Sequence, residues 1–165
     1  MKTVVVFYSL GGYTKYISEI LAGELNADLL ELKTITDYPS SGFKKYIWGG
    51  KTVILKRKPD LSNDKIDLSA YENILIGTPV WASTYAAPLG TFFKQYPLAG
   101  KNVAVFACHV GGGADKCFRK LRTQLKNNHI ISQTDFVNPL MKNKEKSTKK
   151  AVSWARSLQL NSSDL

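Results

Sequence analysis

The residues best placed to do chemistry in this chain are hydroxyls and glycines rather than acids. Ser9-Leu10-Gly11-Gly12-Tyr13-Thr14 follows the apolar run Val4-Val5-Val6-Phe7-Tyr8 and leads straight into Lys15-Tyr16-Ile17-Ser18-Glu19-Ile20-Leu21-Ala22, which has helical spacing. A strand that ends in a short polar turn and a helix N-terminus makes a cradle for an anion. The first helical N–H groups have no intrahelical partner, and the helix dipole puts partial positive charge beside them. Ser9 and Thr14 can add hydroxyl donors, and Gly11 and Gly12 let the backbone approach an anion closely. The same pattern also fits an ordinary strand-to-helix turn, so the segment alone leaves both readings open.

Two other stretches carry chemistry. Thr78-Pro79-Val80-Trp81-Ala82-Ser83-Thr84-Tyr85-Ala86-Ala87-Pro88 is stiffened by prolines and presents Trp81, a large planar side chain. Trp81 can be a core residue, but its place in a turn favours ligand contact. His109-Val110-Gly111-Gly112-Gly113-Ala114-Asp115 has three consecutive glycines, so its main chain can lie flat against a ligand. His109 can be a polar turn residue, or it can hydrogen-bond a ligand or donate a proton. Cys108 and Cys117 lie nearby and read as small buried apolar groups. Two cysteines make no disulfide framework, and a reducing cytoplasm is the default location. His129 reads as a surface residue. No set of His, Cys and carboxylates has ligand spacing, so no metal is expected.

These stretches need elements to hold them. The apolar runs predict strands over 4–8, 28–33, 73–77, 102–108 and 130–136. Helical spacing predicts helices over 13–25, within 87–95, over about 114–126 and over 144–160, the last with Ala151, Val152, Ala155, Leu158 and Trp154 inward. Strand and helix alternate, which implies an α/β fold: a doubly wound parallel sheet with helices on both faces. Strands apolar at every position, such as Val-Val-Val-Phe and Val-Ala-Val-Phe, suit central strands covered on both sides. In such a sheet, ligands bind beyond the carboxyl ends of the strands. The three chemical stretches would then meet there as phosphate donors, an aromatic platform and a backbone-lined slot. That combination suits a planar heteroaromatic carrying a phosphate.

The chain has 165 residues, enough for one domain, 1–165, with a substantial core. Apolar residues make up 44%, yet no run approaches the ~20 residues of a membrane-spanning helix. The start of the chain reads as a strand and not a signal peptide, because no small-x-small cleavage site follows. The formal net charge is +10, with lysines and arginines concentrated at 44–58, 116–126 and 142–156. Such a field favours anionic partners. No groove-reading motif or aromatic ladder accompanies it, which argues against nucleic acid. The stretch from Thr36 to Asp67 breaks the alternation. It is basic and aromatic, with Tyr38, Phe43, Tyr46, Trp48 and Gly49-Gly50, and predicts a short helix near 43–48 followed by an irregular excursion.

Strand, phosphate turn and helix, then Gly-Thr-Pro-Val-Trp, then a glycine-rich loop after the fourth strand: this order resembles the flavodoxin family over nearly the whole chain. Tyr38–Pro59 together with Gly-Thr-Pro-Val-Trp-Ala is similar to a bacterial branch distinct from the acidic electron carriers. The resemblance implies a five-stranded sheet ordered 2-1-3-4-5 and noncovalent flavin mononucleotide (FMN). It implies that Ser9, Leu10, Gly11, Gly12, Tyr13 and Thr14 wrap the phosphate. Pro79, Val80, Trp81, Ala82 and Ser83 would flank one side of the ring, and Cys108, His109, Val110, Gly111, Gly112 and Gly113 the other.

The sequence departs from the family in four places. Leu10 stands where many members have a hydroxyl. The later loop has His109 where the acidic members have a stacking tyrosine, leaving Trp81 as a one-sided platform with Trp48 or Tyr85 as a cover. No glycine lies between Pro79 and Pro88, so positive φ at Ala82 or Ser83 would cost energy. Finally, +10 reverses the charge of the acidic carriers. The resemblance therefore implies a flavoprotein in electron transfer or oxidoreduction, working with a redox partner protein. An NAD(P)H-dependent reductase of quinones or nitro compounds is the alternative, with the 36–67 excursion shaping its substrate pocket. A flavin-free basic binding or regulatory module is a third reading.

Overall fold

The computed structural model describes residues 2–36, 59–158 and 160. Tyr38, Phe43, Tyr46, Trp48, Gly49-Gly50 and the predicted helix at 43–48 lie outside them. The elements are β1 (Lys2–Phe7), α1 (Tyr13–Leu25), β2 (Asp28–Glu31), β3 (Tyr71–Trp81), β4 (Thr84–Tyr85), α2 (Ala87–Gln95), β5 (Asn102–His109), α3 (Asp115–Gln124), β6 (His129–Val137) and α4 (Lys144–Ser157).

Five parallel strands run in the order β2-β1-β3-β5-β6, and the short β4 pairs antiparallel with the end of β3. Counting only the long strands, this is the expected order 2-1-3-4-5. The apolar runs Val4–Phe7 of β1 and Val103–Cys108 of β5 supply both faces. Val4, Val6, Ile74, Ile76, Val103, Val105 and Ala107 pack with Leu89, Phe92 and Phe93 of α2 and Cys117, Phe118 and Leu121 of α3. The alternate residues Val5, Phe7, Leu75, Ala104, Phe106 and Cys108 pack with Ile17 and Leu21 of α1 and Ala151 and Ala155 of α4. A period of two along each strand thus divides its side chains between two cores.

Two expected boundaries move. The sequence predicts that β3 stops at Gly77, with Thr78 opening a loop. Instead the strand continues to Trp81, because Thr78 and Pro79 stay in register with Ala107 and Cys108 of β5. Pro79 is tolerated for a geometric reason. Gly77 accepts a bond from the Tyr8 N–H at 3.2 Å, so Gly77 faces β1. Pro79, two residues on, faces the same side, but β1 has already ended at Phe7 and no ladder bond needs the missing N–H. Helix α4 ends at Ser157 rather than Leu160. Leu158 stays buried, and Trp154 is half-buried, donating from Nε1 to Ser132 Oγ at 2.8 Å.

Gly77 itself is required by packing. A Cβ built there would lie 2.2 Å from the Phe106 ring. After the undescribed segment the chain returns along the end of β2. Thr34 bridges Leu61, and Asn63 accepts from the Lys33 N–H and donates to the Glu31 carbonyl, both at 2.8 Å.

Candidate functional site at the strand ends

The connection from β1 runs outward to β2, whereas β3 lies on the opposite side of β1. The crevice beyond the carboxyl ends of β1, β3 and β5 is therefore at a point where strand order reverses. Three turns meet the solvent there, and each solves a different problem.

The first turn begins helix α1. Gly12 sits at the helix N-cap with φ of 84°, in the left-handed region. Its missing Cβ also matters, because a methyl there would come within 3.4 Å of Leu140 on the β6–α4 connection. Among the described residues no side chain caps the α1 N-terminus, and its first turn holds no acid. Ser9 Oγ and Thr14 Oγ1 are buried and, apart from the Cys108 thiol beside Thr14, have no hydrogen-bond partner among the described residues. Thr14 as a whole is only 1% exposed. Buried hydroxyls are normally satisfied, and an unmet one costs about 1–3 kcal/mol. Two unmet hydroxyls beside an uncapped helix N-terminus match what an anionic oxygen group would satisfy. Gly11, Gly12 and Tyr13 lie on this turn, and Leu10 is a half-buried apolar member of it that packs against the core.

The second turn closes a two-residue hairpin. Val80 pairs with Tyr85 and Trp81 with Thr84, leaving Ala82 and Ser83 at the tip. Their φ angles are 44° and 64°, the sign pattern of a type I′ turn, which normally uses Asn and Gly. The expectation that positive φ would be disfavoured here thus meets a turn that adopts it at both residues. Non-glycine residues in this region cost about 1 kcal/mol each. The Thr78 hydroxyl holds the hairpin's base, accepting from the Ala86 N–H and donating to the Pro79 carbonyl, both at 2.9 Å. Trp81 is 3% exposed, and its ring packs edge-on to Tyr8 with centroids 5.5 Å apart. It is seated in the core beneath the hairpin rather than standing clear of it. Tyr85 is half-buried and packs edge-on to Phe93.

The third turn follows β5. Gly111, Gly112 and Gly113 all have positive φ, and a methyl placed on any of them would meet no atom within 4 Å. Gly112 and Gly113 face Ser83, Lys116 and Arg119 across a bay of about 260 Å³. Val110 is exposed, Cys108 buried and His109 buried. The Asn138 N–H donates to the His109 carbonyl at 2.9 Å, tying the end of β6 to this loop.

The His109 side chain reaches across to the neighbouring strand β6. Its Nε2 lies 2.9 Å from Asp135 Oδ2. Lys150 of α4 donates to Asp135 Oδ1 at 3.2 Å and to the Asp135 carbonyl at 2.6 Å. Burial disfavours the Asp135 carboxylate, yet the hydrogen bonds from His109 and Lys150 outweigh it and hold the group below its ordinary range. His109 Nδ1 is buried with no partner among the described residues. Sequence reading singles out His109 but misses Asp135 and Lys150. The available signal is an acid near the carboxyl end of the parallel neighbour strand, in register with Ala107.

The two thiols do not join this chemistry. Burial pushes Cys108 up to about 12, only weakly opposed by the neighbouring Thr14 hydroxyl. Burial raises Cys117 to about 12 as well. No group of three or more His, Cys, Asp and Glu able to hold a metal occurs among the described residues. No described helix is long and apolar enough to cross a membrane.

Comparison with solved structures finds the same fold widely. A Bacteroides uniformis protein with a proposed flavoprotein assignment superposes with a TM-score of 0.79 at 19% identity, covering 94% of this chain and 97% of its own. A Lactobacillus acidophilus flavoprotein in complex with FMN gives 0.67 at 24% identity, over 89% of this chain and 98% of its own. Two-electron reduced Megasphaera elsdenii flavodoxin gives 0.58 at 16% identity, over 94% and 99%. A comparison with curated protein sequences returns no match. At these identities the solved structures speak to the fold alone. The family model described as Flavodoxin, however, matches residues 2–156, and with that span the chain belongs to the flavodoxin family.

Proposed function

We propose that this chain binds FMN at the ends of β1, β3 and β5 and serves as a redox flavoprotein. The observation that carries this reading is the pair of buried, unmet hydroxyls on Ser9 and Thr14 at the uncapped N-terminus of α1. A flavin phosphate would give both hydroxyls and the first helical amides an acceptor. Gly12 holds the backbone of this cradle in place. The hairpin residues Pro79, Val80, Trp81, Ala82 and Ser83, and Cys108, His109, Val110, Gly111, Gly112 and Gly113 opposite them, would border the ring. The bound flavin would supply the electron or hydride chemistry, while the chain supplies binding, orientation and electrostatics. The L. acidophilus relative with FMN is consistent with this assignment.

Adding FMN to the flavin-free protein should quench flavin fluorescence with one-to-one stoichiometry. Persistence of full FMN emission at excess protein would overturn the reading. The basic surface points to an acidic redox partner. A second reading, an NAD(P)H-dependent reductase of a small quinone-like substrate, draws on the bay at Gly112-Gly113. Lys116 and Arg119 border it and suit the phosphates of a pyridine nucleotide. A single addition of NADPH to the FMN-loaded protein separates the two. Rapid bleaching of the flavin band without another protein favours the reductase, and an unchanged spectrum favours the carrier.

A further inference from the structure

We propose that the corner where β5 and β6 end is a docking surface for an acidic protein partner. Val110, Val137 and Met141 form its apolar centre, and Lys116, Arg119, Lys142 and Lys146 its basic rim. That the partner is a redox protein rests on the FMN reading above, whereas the docking itself needs no flavin. Six large apolar side chains are exposed among the described residues, and half of them lie at this corner. Val137 pairs with His109, the residue before Val110. The Asn138 side-chain amide donates to the Val110 carbonyl at 3.3 Å, and the Met141 N–H donates to the Asn138 carbonyl at 3.2 Å. Met141 is 71% exposed, Val110 50% and Val137 39%. Exposed apolar residues scattered singly need no explanation, but a group held at one place by these bonds does.

Cations flank the group from both faces of the sheet. Lys142 follows Met141, and with Lys146 it lines a hollow at the start of α4. On the other face, Lys116 and Arg119 of α3 line the bay at Gly112-Gly113, just past Val110. None of the four has an ion pair among the described residues. Of the acids on β6, α3 and α4, Asp135 is paired with Lys150 and Glu145 with Lys149, which leaves Asp115 against four cations. Stability does not account for them. Lys116 and Lys146 stand in the first turns of their helices, where the dipole disfavours a cation. An apolar centre with a charged rim is the make-up of a protein interface, and the sign of the rim selects carboxylates. A second copy of the chain would instead bring the same cations of both copies into one interface, on a protein of net charge +10.

The outer edge of β6 does not invite strand addition. Its register slips at Ile131, between the pairs Val103–Ile130 and Ala104–Ser132. Lys150 Nζ already donates to the Asp135 carbonyl at 2.6 Å. A bulge and a lysine blunt an edge, so recognition falls to the side chains at the corner.

The probe is an oxidised plant-type [2Fe–2S] ferredoxin, an acidic protein, titrated into ¹⁵N-labelled chain with and without FMN. Amide shifts or broadening should centre on Val110 and residues 137–142, and extend to 116–119. Binding should be strong at roughly 10 mM ionic strength and weak at roughly 150 mM, as the screening length falls from about 30 Å to about 8 Å. Lys146→Glu should weaken it about tenfold, through like charge at the rim. Met141→Ser should weaken it about fivefold, through lost apolar contact. Lys126→Glu makes the same charge change at the amino end of β5 and should leave binding unchanged. No perturbation at low salt, perturbation centred away from the corner, or K126E matching K146E overturns the proposal. So does a dimer in sedimentation equilibrium that Met141→Ser dissolves, which gives the corner to a second copy. Phosphatidylglycerol vesicles or a thymidine oligonucleotide producing these shifts where ferredoxin produces none also overturn it. Wild-type protein that keeps the corner shifts but fails to quench FMN fluorescence overturns the FMN reading and leaves the docking surface standing. The wild-type map and its salt dependence decide the matter even if a variant fails to fold.

Discussion

The turn after β1 and the hairpin after β3 border the same crevice but handle backbone strain in opposite ways. After β1, the left-handed conformation is assigned to Gly12, where it costs little. What remains unsatisfied is side-chain chemistry, the Ser9 and Thr14 hydroxyls. After β3, the Thr78 hydroxyl bonds both ends of the hairpin. What remains unsatisfied is the backbone, with Ala82 and Ser83 both at positive φ. The first turn is relaxed in its backbone. The second is strained and held by its base. A fixed anchor and a loaded flank are different devices, and they should answer differently to mutation.

The largest effect should come from overfilling the close contact between β3 and β5. Gly77→Ala forces a methyl to within 2.2 Å of the Phe106 ring, and overpacking of this kind costs about 3 kcal/mol. Urea unfolding would read it as a lower midpoint at unchanged slope. Next comes the anchor. Thr14→Val should weaken FMN binding by about 2 kcal/mol, the value of a hydrogen bond to a charged group. The same change should leave the flavin-free protein equally or more stable, because it deletes a buried hydroxyl that, apart from the Cys108 thiol, lacks a partner among the described residues. A loss of flavin-free stability equal to the loss of affinity would make Thr14 a fold residue and remove the contrast.

Smaller effects test the strain directly. Ser83→Gly should stabilise the protein by about 1 kcal/mol by relieving left-handed backbone. Gly12→Ala should destabilise it by about the same amount, since φ is 84° and Leu140 lies 3.4 Å from the new methyl. Both shifts can be read from thermal melts, and equal signs for the two would abolish the difference between the turns. Smallest at neutral pH is the response of the thiols. Cys108 and Cys117 are raised from 9.0 to about 12 by burial, so the folded state keeps both protons where the unfolded chain releases them. Their contribution to stability is therefore full below pH 9 and is lost as pH rises from 9 towards 12. Alkylation by iodoacetamide near pH 7 should be slow in the native protein and fast only after unfolding.

Much of the architecture could be read from periodicity. Val4-Val5-Val6-Phe7 and Val103-Ala104-Val105-Phe106 are apolar at every position, and only a strand covered on both faces rewards that pattern. The strand-turn-helix junction from Ser9 to Thr14 was legible too, because its residues are adjacent in the chain. The end of β3 was not legible. Proline at 79 argues against a strand in isolation, and only the early end of β1 removes the objection. Asp135 and Lys150 were likewise hidden. They lie 26 and 41 positions from His109 in a chain where neither has a motif of its own.

The sequence alone determined the alternation of elements, the two-sided character of the central strands, the glycine at the α1 N-cap and the membership of a fold whose ligands meet its strand ends. These follow from short-range rules, the period of two, the period of 3.6 and the steric freedom of glycine. Tertiary structure decided which buried groups remain unmet, how far β3 runs, that Ala82 and Ser83 carry the strain, that Trp81 is seated in the core, and that His109 meets Asp135 and Lys150. Apart from the local hairpin tip at Ala82 and Ser83, these depend on register between strands distant in sequence, and register is fixed only when both cores pack at once.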